Sequence, residues 1–235
     1  MQDFASSFWF ALGLVAGLDA DLIEIVRLSL YVSLVATVIS CAVGLPLGAL
    51  LATSCFRGRR AVLTLVNALM GLPPVVVGLI VYLHLSRSGP FGWLGLLYTP
   101  TAMIIAQMIL ITPIVAALSR QVLEDLNDEY AELFRSMRLS PAQTVGTLLW
   151  EGRFTLMTVS LAGFGRAIAE VGAVIIVGGN IDHLTRVMTT AIALETSRGN
   201  LPLALALGLV LFALALLVNG AVSMLQPRPM RAAHA

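Results

Sequence analysis

The sequence contains no lysine: all 14 of its basic side chains are arginine. A phosphate-binding loop of the form Gly-x-x-x-x-Gly-Lys-Ser/Thr needs a lysine to reach the nucleotide, so the chain cannot carry one. Charge of either sign is scarce. Charged residues make up 11% of the 235, against about 25% in a soluble domain. A chain so poor in charge cannot cover a water-facing surface, and its solvent must be partly lipid. The formal net charge is +1, with no basic run, no basic patch interleaved with aromatics and no acidic tail. The net charge is silent on nucleic acid, and without such a run or patch no nucleic-acid partner is expected. Cys41 and Cys55 show neither metal nor disulfide spacing, and Cys41 reads as a small core residue in an apolar stretch. The three histidines, His84, His183 and His234, are scattered. No His-Glu-x-x-His motif is present, which argues against a membrane-embedded metalloenzyme and against any bound metal. There is also no internal repeat of the kind that self-sufficient secondary transporters carry.

The N-terminus lacks the positive region of a secretory signal, its first charge being Asp3. The uncharged run 5–18 is shorter than the ~20 residues a spanning helix needs. Residues 1–23 are therefore expected to form an extracytoplasmic or interfacial segment, with Phe4, Phe8, Trp9 and Phe10 near the headgroups.

What is abundant is apolar sequence: 58% of residues are hydrophobic and the mean hydropathy is +0.93. Residues 28–56, 61–86, 88–119 and 201–227 contain no charged side chain. Each run is long enough to cross a bilayer as a helix, the default conformation where backbone groups must satisfy one another. A fifth span, 154–177, is interrupted by Arg166 and Glu170. The expectation is an all-α membrane protein with five spans, at 28–52, 62–84, 97–118, 154–177 and 201–225, followed by a tail, 226–235.

Arginine placement predicts the orientation. Nine arginines fall between spans one and two, between spans three and four, or in the tail (Arg228 and Arg231). Four lie on the opposite side: Arg27, Arg87, Arg186 and Arg198. The arginine-rich side should be cytoplasmic, which puts the N-terminus outside and the C-terminus inside.

Proline and glycine interrupt several spans. Gly44-Leu45-Pro46-Leu47-Gly48 lies in the first, Gly71-Leu72-Pro73-Pro74 and Gly78 in the second, and Pro113 in the third. Two readings are open: ordinary bends of a helical bundle, or helices that flex or line a pathway.

Residues 119–153 form the one long polar stretch on the side predicted to be cytoplasmic. An amphipathic helix is expected from Asn127 to Met137, capped by Asn127 or Asp128, with Leu133, Phe134 and Met137 as an apolar patch. Ser140-Pro141 is expected to open a second helix. A plain connector could be far shorter, so the stretch reads as a docking surface for a soluble partner.

This stretch resembles the coupling segment of permease subunits of type I ABC importers. That pattern runs Glu-Ala-Ala, three variable residues, Gly, then a hydrophobic stretch ending near Leu-Pro. Here Glu132 takes the Glu position, Leu133-Phe134 the two alanines and Arg138 the glycine. Leu148 takes the later aliphatic position and Trp150-Glu151 stand in place of Leu-Pro. Gly71-Leu72-Pro73-Pro74-Val75-Val76-Val77-Gly78-Leu79 is similar to the second span of molybdate and tungstate permeases, as is 165–181. The stretch from Thr185 to Thr196 looks most like the tungstate (TupB-like) branch.

The resemblance covers residues 24–225 and implies a pathway subunit, homodimeric in that family's manner, in a prokaryotic plasma membrane. It implies a cytoplasmic ABC ATPase dimer that binds ATP and Mg, and an extracytoplasmic binding protein that delivers an oxyanion: tungstate, or alternatively molybdate or another oxyanion. It implies no cofactor on this chain. It assigns ATPase coupling to Glu129, Glu132, Leu133, Phe134, Arg138, Ser140 and Pro141, and helix breaks to Pro73, Pro74 and Gly78.

Arg166 and Glu170, one helical turn apart, can pair on one face. The pair is either a structural ion pair facing the bundle interior or a pathway element in which Glu170 orients Arg166 toward the anion. In the loop after Gly178-Gly179-Asn180, the hydroxyls of Thr185, Thr189, Thr190 and Thr196 are available in principle to an oxyanion.

Overall fold

The computed structural model describes residues 4–17, 19–54 and 56–225. Cys55, Arg228, Arg231 and His234, like the tail 226–235, lie outside the described residues. Among these residues the regular structure is helical. The helices are α1 (Phe4–Ala16), α2 (Ala20–Thr53), α3 (Arg59–Met70), α4 (Pro74–Leu85), α5 (Pro100–Glu129), α6 (Ala131–Ser136), α7 (Pro141–Glu151), α8 (Arg153–Ile168), α9 (Gly172–Gly178), α10 (Met188–Arg198) and α11 (Leu201–Leu225). One 3-10 turn, Gly92–Leu94, precedes α5.

By length and composition, α2, α5 and α11 can each cross a membrane alone. Two further spans are broken: α3 and α4 meet at 97°, α8 and α9 at 57°. With each bent pair counted as one span the total is five.

The span limits differ from the sequence expectation in an instructive way. Helix α2 begins at Ala20 rather than near residue 28, capped by Asp19, whose carboxylate accepts from the Leu22 N–H at 3.2 Å. Its 34 residues extend about 50 Å at ~1.5 Å each, more than the ~30 Å hydrocarbon core. Asp21, Glu24 and Arg27 therefore sit on helical turns that can stand clear of the lipid. Helix α5 likewise runs on to Glu129, because neither proline nor glycine stops it between Pro113 and Glu129.

Pro46 and Pro113 lie inside continuous helices. The Gly44–Pro46–Gly48 segment is thus a contact, not a break. Helix α2 presents a stripe of small buried residues to the bundle: Ser29, Ser33, Ala36, Ser40, Gly44, Gly48 and Ala52. Its largest interface is with α5. A Cβ at Gly48 would lie 2.0 Å from Ser119 Oγ and 2.8 Å from the Ala116 carbonyl oxygen. Small residues replace the missing hydrophobic drive between helices in lipid by letting backbones approach. Ser119 Oγ donates to the Ala116 carbonyl at 3.2 Å and reaches the Gly44 carbonyl at 3.4 Å.

Around this pair lie three apolar clusters. The central one joins α2, α4, α5, α8 and α9 through Val32, Val77, Met103, Ile111, Val159 and Val174. A second joins α1, α2, α10 and α11 through Ala11, Leu22, Met188 and Leu207. The third gathers Ala49, Leu123, Phe134, Leu148 and Leu156 at the α6–α7 end. Helix α1 packs on α11 and leaves Trp9 and Phe10 exposed. The side chain of Phe4 lies outside the described residues. Cys41 is half-buried with a free thiol.

Gly48→Val should lower stability by roughly 2–3 kcal/mol, because the branched side chain meets backbone atoms that cannot rotate away. Thermal unfolding in detergent checks this, and an unchanged midpoint would remove the close approach from the account.

Candidate functional site

The two broken spans meet at their breaks. Gly71, Leu72 and Pro73 separate α3 from α4, and Pro74 opens α4 where a missing N–H costs nothing. Ala169, Glu170 and Val171 separate α8 from α9. A Cβ on Gly172 would lie 2.9 Å from Val75 Cγ2 and 3.5 Å from Pro74 Cβ. One on Gly78 would lie 2.8 Å from Ala173 Cα. Pro73 and Pro74 are thus break residues, while Gly78 stays helical and lets α4 lie against α9.

The α8–α9 break is stitched by polar side chains. Gln107 Nε2, on α5, donates to the Ala167 carbonyl at 3.0 Å. Glu170 Oε1 accepts from the Ala173 N–H at 3.1 Å, and Thr189 Oγ1 donates to the Glu170 carbonyl at 2.8 Å. Arg166 Nη1 donates to Glu170 Oε2 at 2.5 Å. The partners are unequal: Glu170 is 4% exposed and Arg166 37%. The carboxylate is a buried tie between α8 and α9, whereas part of the guanidinium remains open. Gln107 Oε1, also buried, has no hydrogen-bond partner among the described residues.

The threonines after α9 have other work. Thr185 Oγ1 donates to the Gly178 carbonyl at 2.6 Å and accepts from the Ile181 N–H at 3.0 Å. Thr190 Oγ1 pairs with Asn180 Oδ1 at 2.9 Å. With Thr189 bound to the break, these three buried hydroxyls are spent on holding the turn, and Thr196 bonds its own helix. Nearby, His183 Nδ1 lies 2.9 Å from Glu24 Oε2. The Glu24 hydrogen bond and charge, with Asp182 adding, hold the exposed imidazole above its ordinary value.

The polar stretch 119–153 folds as a tail of α5 and two short helices. Asn127, Asp128 and Glu129 belong to the last turn of α5 and cap nothing; Tyr130 ends α5 and precedes α6. Only Glu132 is acidic in the first turn of α6. Phe134 is not part of an outer patch. It is 9% exposed and packs beneath α6 against Leu123, Leu148 and Leu156. Leu133 and Met137 remain exposed. Ser140 opens α7 as expected, and more fully: Ser140 Oγ accepts from the Gln143 N–H at 3.3 Å and Gln143 Oε1 from the Ser140 N–H at 2.9 Å. This is a capping box with Pro141 at the first helical position.

Arg138 explains why a glycine suits its position. Its φ is +51°. The Arg138 N–H donates to the Arg135 carbonyl and the Leu139 N–H to the Phe134 carbonyl, each at 3.2 Å. That pairing is a Schellman turn, whose left-handed residue is usually glycine. Leu139 and Phe134 supply its apolar contact.

One cluster escaped the sequence reading. Glu124 bridges Arg59 at 2.7 Å and Arg120, while Arg59 Nε donates to the Leu51 carbonyl at 3.0 Å. The ends of α2, α3 and α5 are thereby tied together. The Arg120–Glu124 spacing was legible, but the Arg59–Glu124 separation of 65 residues carries no local signal.

Arg138→Gly should stabilise the α6–α7 turn by about 0.5–1 kcal/mol, the relief of left-handed strain exceeding the entropy cost of glycine. A thermal midpoint raised by a few degrees would agree with this; a lowered midpoint would refute it.

Comparison with known proteins places this geometry. Residues 44–231 match the family described as binding-protein-dependent transport system inner membrane component. The tungstate uptake system permease protein TupB of Peptoclostridium acidaminophilum is 40% identical, over 96% of this chain and 99% of the relative. Its Campylobacter jejuni namesake is 43% identical over 70% and 69%. A probable anion ABC transporter permease protein of Haloferax volcanii is 40% identical over 84% and 88%. The molybdenum transport system permease protein ModB of Azotobacter vinelandii is 28% identical over 71% and 77%. Three spanning helices, two bent helix pairs that bring the count of candidate spans up to five, and a pair of short helices between α5 and α8 belong to a chain that is a member of the family of inner-membrane permease components of binding-protein-dependent ABC transport systems.

Proposed function

We propose that this chain is the permease subunit of an ATP-driven tungstate importer. The observation that carries the substrate is the pattern of relatives. Tungstate uptake permeases match at 40 and 43% identity, one of them end to end, whereas molybdenum and sulfate permeases match at 28%. Molybdate is the second reading, because tungstate and molybdate are nearly isosteric.

In this reading two copies form the pathway. An ATPase dimer, holding ATP and Mg, docks on α6 and α7, and an extracytoplasmic binding protein delivers the anion. The N-terminus is outside and the C-terminus cytoplasmic, as the arginine distribution favours. Glu129, Glu132, Leu133, Arg138, Ser140 and Pro141 form the coupling face. Exposed Leu133 and Met137 support this, and Phe134 serves it from below as the anchor of α6. Pro73 and Pro74 define the break of the second span. The open part of the Arg166 guanidinium faces the pathway, where a positive charge attracts the oxyanion and Glu170 fixes the side chain. Burial of Glu170 supports this division, since an intramembrane charge needs a partner.

The test is uptake by the complex reconstituted in proteoliposomes, with tungstate, molybdate and sulfate in competition. ATP-dependent tungstate uptake that sulfate leaves untouched is expected. Equal competition by sulfate would sink the substrate, and uptake without ATP the transporter class. In the same assay Glu132→Arg should uncouple ATP hydrolysis from uptake. Arg166→Ala should cut uptake at least tenfold while the complex still assembles; unchanged uptake in both variants would remove these assignments.

A further inference from the structure

A groove of about 500 Å³ runs between α2 and α8, lined by Ala42, Leu45, Pro46, Leu156 and Met157, with Arg153 at one end. Its volume falls within the ~300–1,000 Å³ of small-ligand sites. Its walls belong mainly to two candidate membrane spans, with Leu149 of α7 beside them, which sets most of the groove at the depth of acyl chains.

Arg153 begins α8 and is held in an unusual way. Its guanidinium carbon lies 4.6 Å from the centre of the Trp150 ring and 4.7 Å from that of Phe154. Nη1 donates to the Trp150 carbonyl at 2.6 Å. Both rings are more than half exposed. An arginine braced by two exposed aromatics at the start of a span marks the headgroup level. Among the described residues no carboxylate pairs with it: the arginines in ion pairs are Arg59, Arg120, Arg166, Arg186 and Arg198. Neighbouring Glu151 is in none of those pairs. The charge is therefore fixed in place and not neutralised.

We propose that this groove holds an acyl chain of an anionic phospholipid of the surrounding bilayer, with the phosphate on Arg153. The two halves of the site match the two halves of that molecule: an apolar slot inside the hydrocarbon, and an uncompensated cation where the headgroups lie. A soluble protein has no access to the slot, and a zwitterionic lipid gains less from the cation. The site is separate from Arg166 and the broken spans, so it stands whether or not the transported anion is tungstate.

The experiment uses Trp150 as its own reporter, in the full chain carrying Trp9→Phe and Trp93→Phe. The protein is placed in vesicles of phosphatidylcholine and phosphatidylglycerol, with one lipid brominated at a time as quencher. One interfacial arginine is worth about a fivefold preference for anionic lipid. Brominated phosphatidylglycerol should therefore quench at about one fifth the mole fraction of brominated phosphatidylcholine. Arg153→Gln should reduce that ratio to one, and Ala42→Phe, which fills the slot without touching the charge, should weaken quenching by phosphatidylglycerol. Arg57→Gln, an exposed arginine elsewhere, should leave the ratio alone. Equal quenching by both lipids overturns the proposal, as does a preference that survives Arg153→Gln or one lost equally in Arg57→Gln. Failure of either lipid to quench means that protein, a second copy or a partner, covers this face, and overturns it too.

Discussion

The close approach of α2 and α5 is the constraint on which the other helices depend. Lipid offers apolar helices no reason to leave it, so association rests on packing at short range. Glycine, serine and alanine at every third or fourth position of α2 supply that range. Once the two long helices are in contact, α8 seats against both, with Gly163 facing Thr37, Ile111 and Val115. The third cluster, on the same two helices beyond Gly48, then carries α6 and α7 on Phe134 and Leu148. The proposed docking face is thus built on the same contact as the spans.

The two broken spans face the opposite problem. A helix that stops in lipid leaves carbonyls and N–H groups without partners, each costly there. The α8–α9 break meets this with Gln107, Glu170 and Thr189, drawn from α5, the break itself and α10. The side chains that look chemically active in the sequence are mostly occupied in this way. Glu170 and the three buried threonines are occupied within the fold, while Arg166 and Thr196 keep open surface.

Most of the architecture was legible because charge is so rare. Five uncharged or nearly uncharged runs coincide with three long apolar helices and two bent helix pairs, and Ser140-Pro141 announced the start of α7. Other features were not legible for stated physical reasons. A helix is not obliged to end where lipid ends, so α2 and α5 overran the expected limits. Glycine beside proline reads the same whether it bends a helix, as around Gly71, or admits a neighbour, as at Gly48. Phe134 looked like surface because an amphipathic pattern does not say which face is covered. The left-handed turn at Arg138 was hidden by the side chain it carries, and Arg59–Glu124 by sequence distance.

The seam between α4 and α9 has a mechanical consequence. At Gly78 the α4 backbone meets the Ala173 backbone directly, and Gly172 in turn seats against the Val75 side chain, so little compressible space separates the helices. Dense protein interiors transmit strain rather than absorb it. A tilt of α9 about the Glu170 break therefore cannot be taken up at the seam and must reappear in α4, at the Pro73 break. The two half-spans α4 and α9 thus form one unit between two breaks, with α3 joined to it at one and α8 at the other.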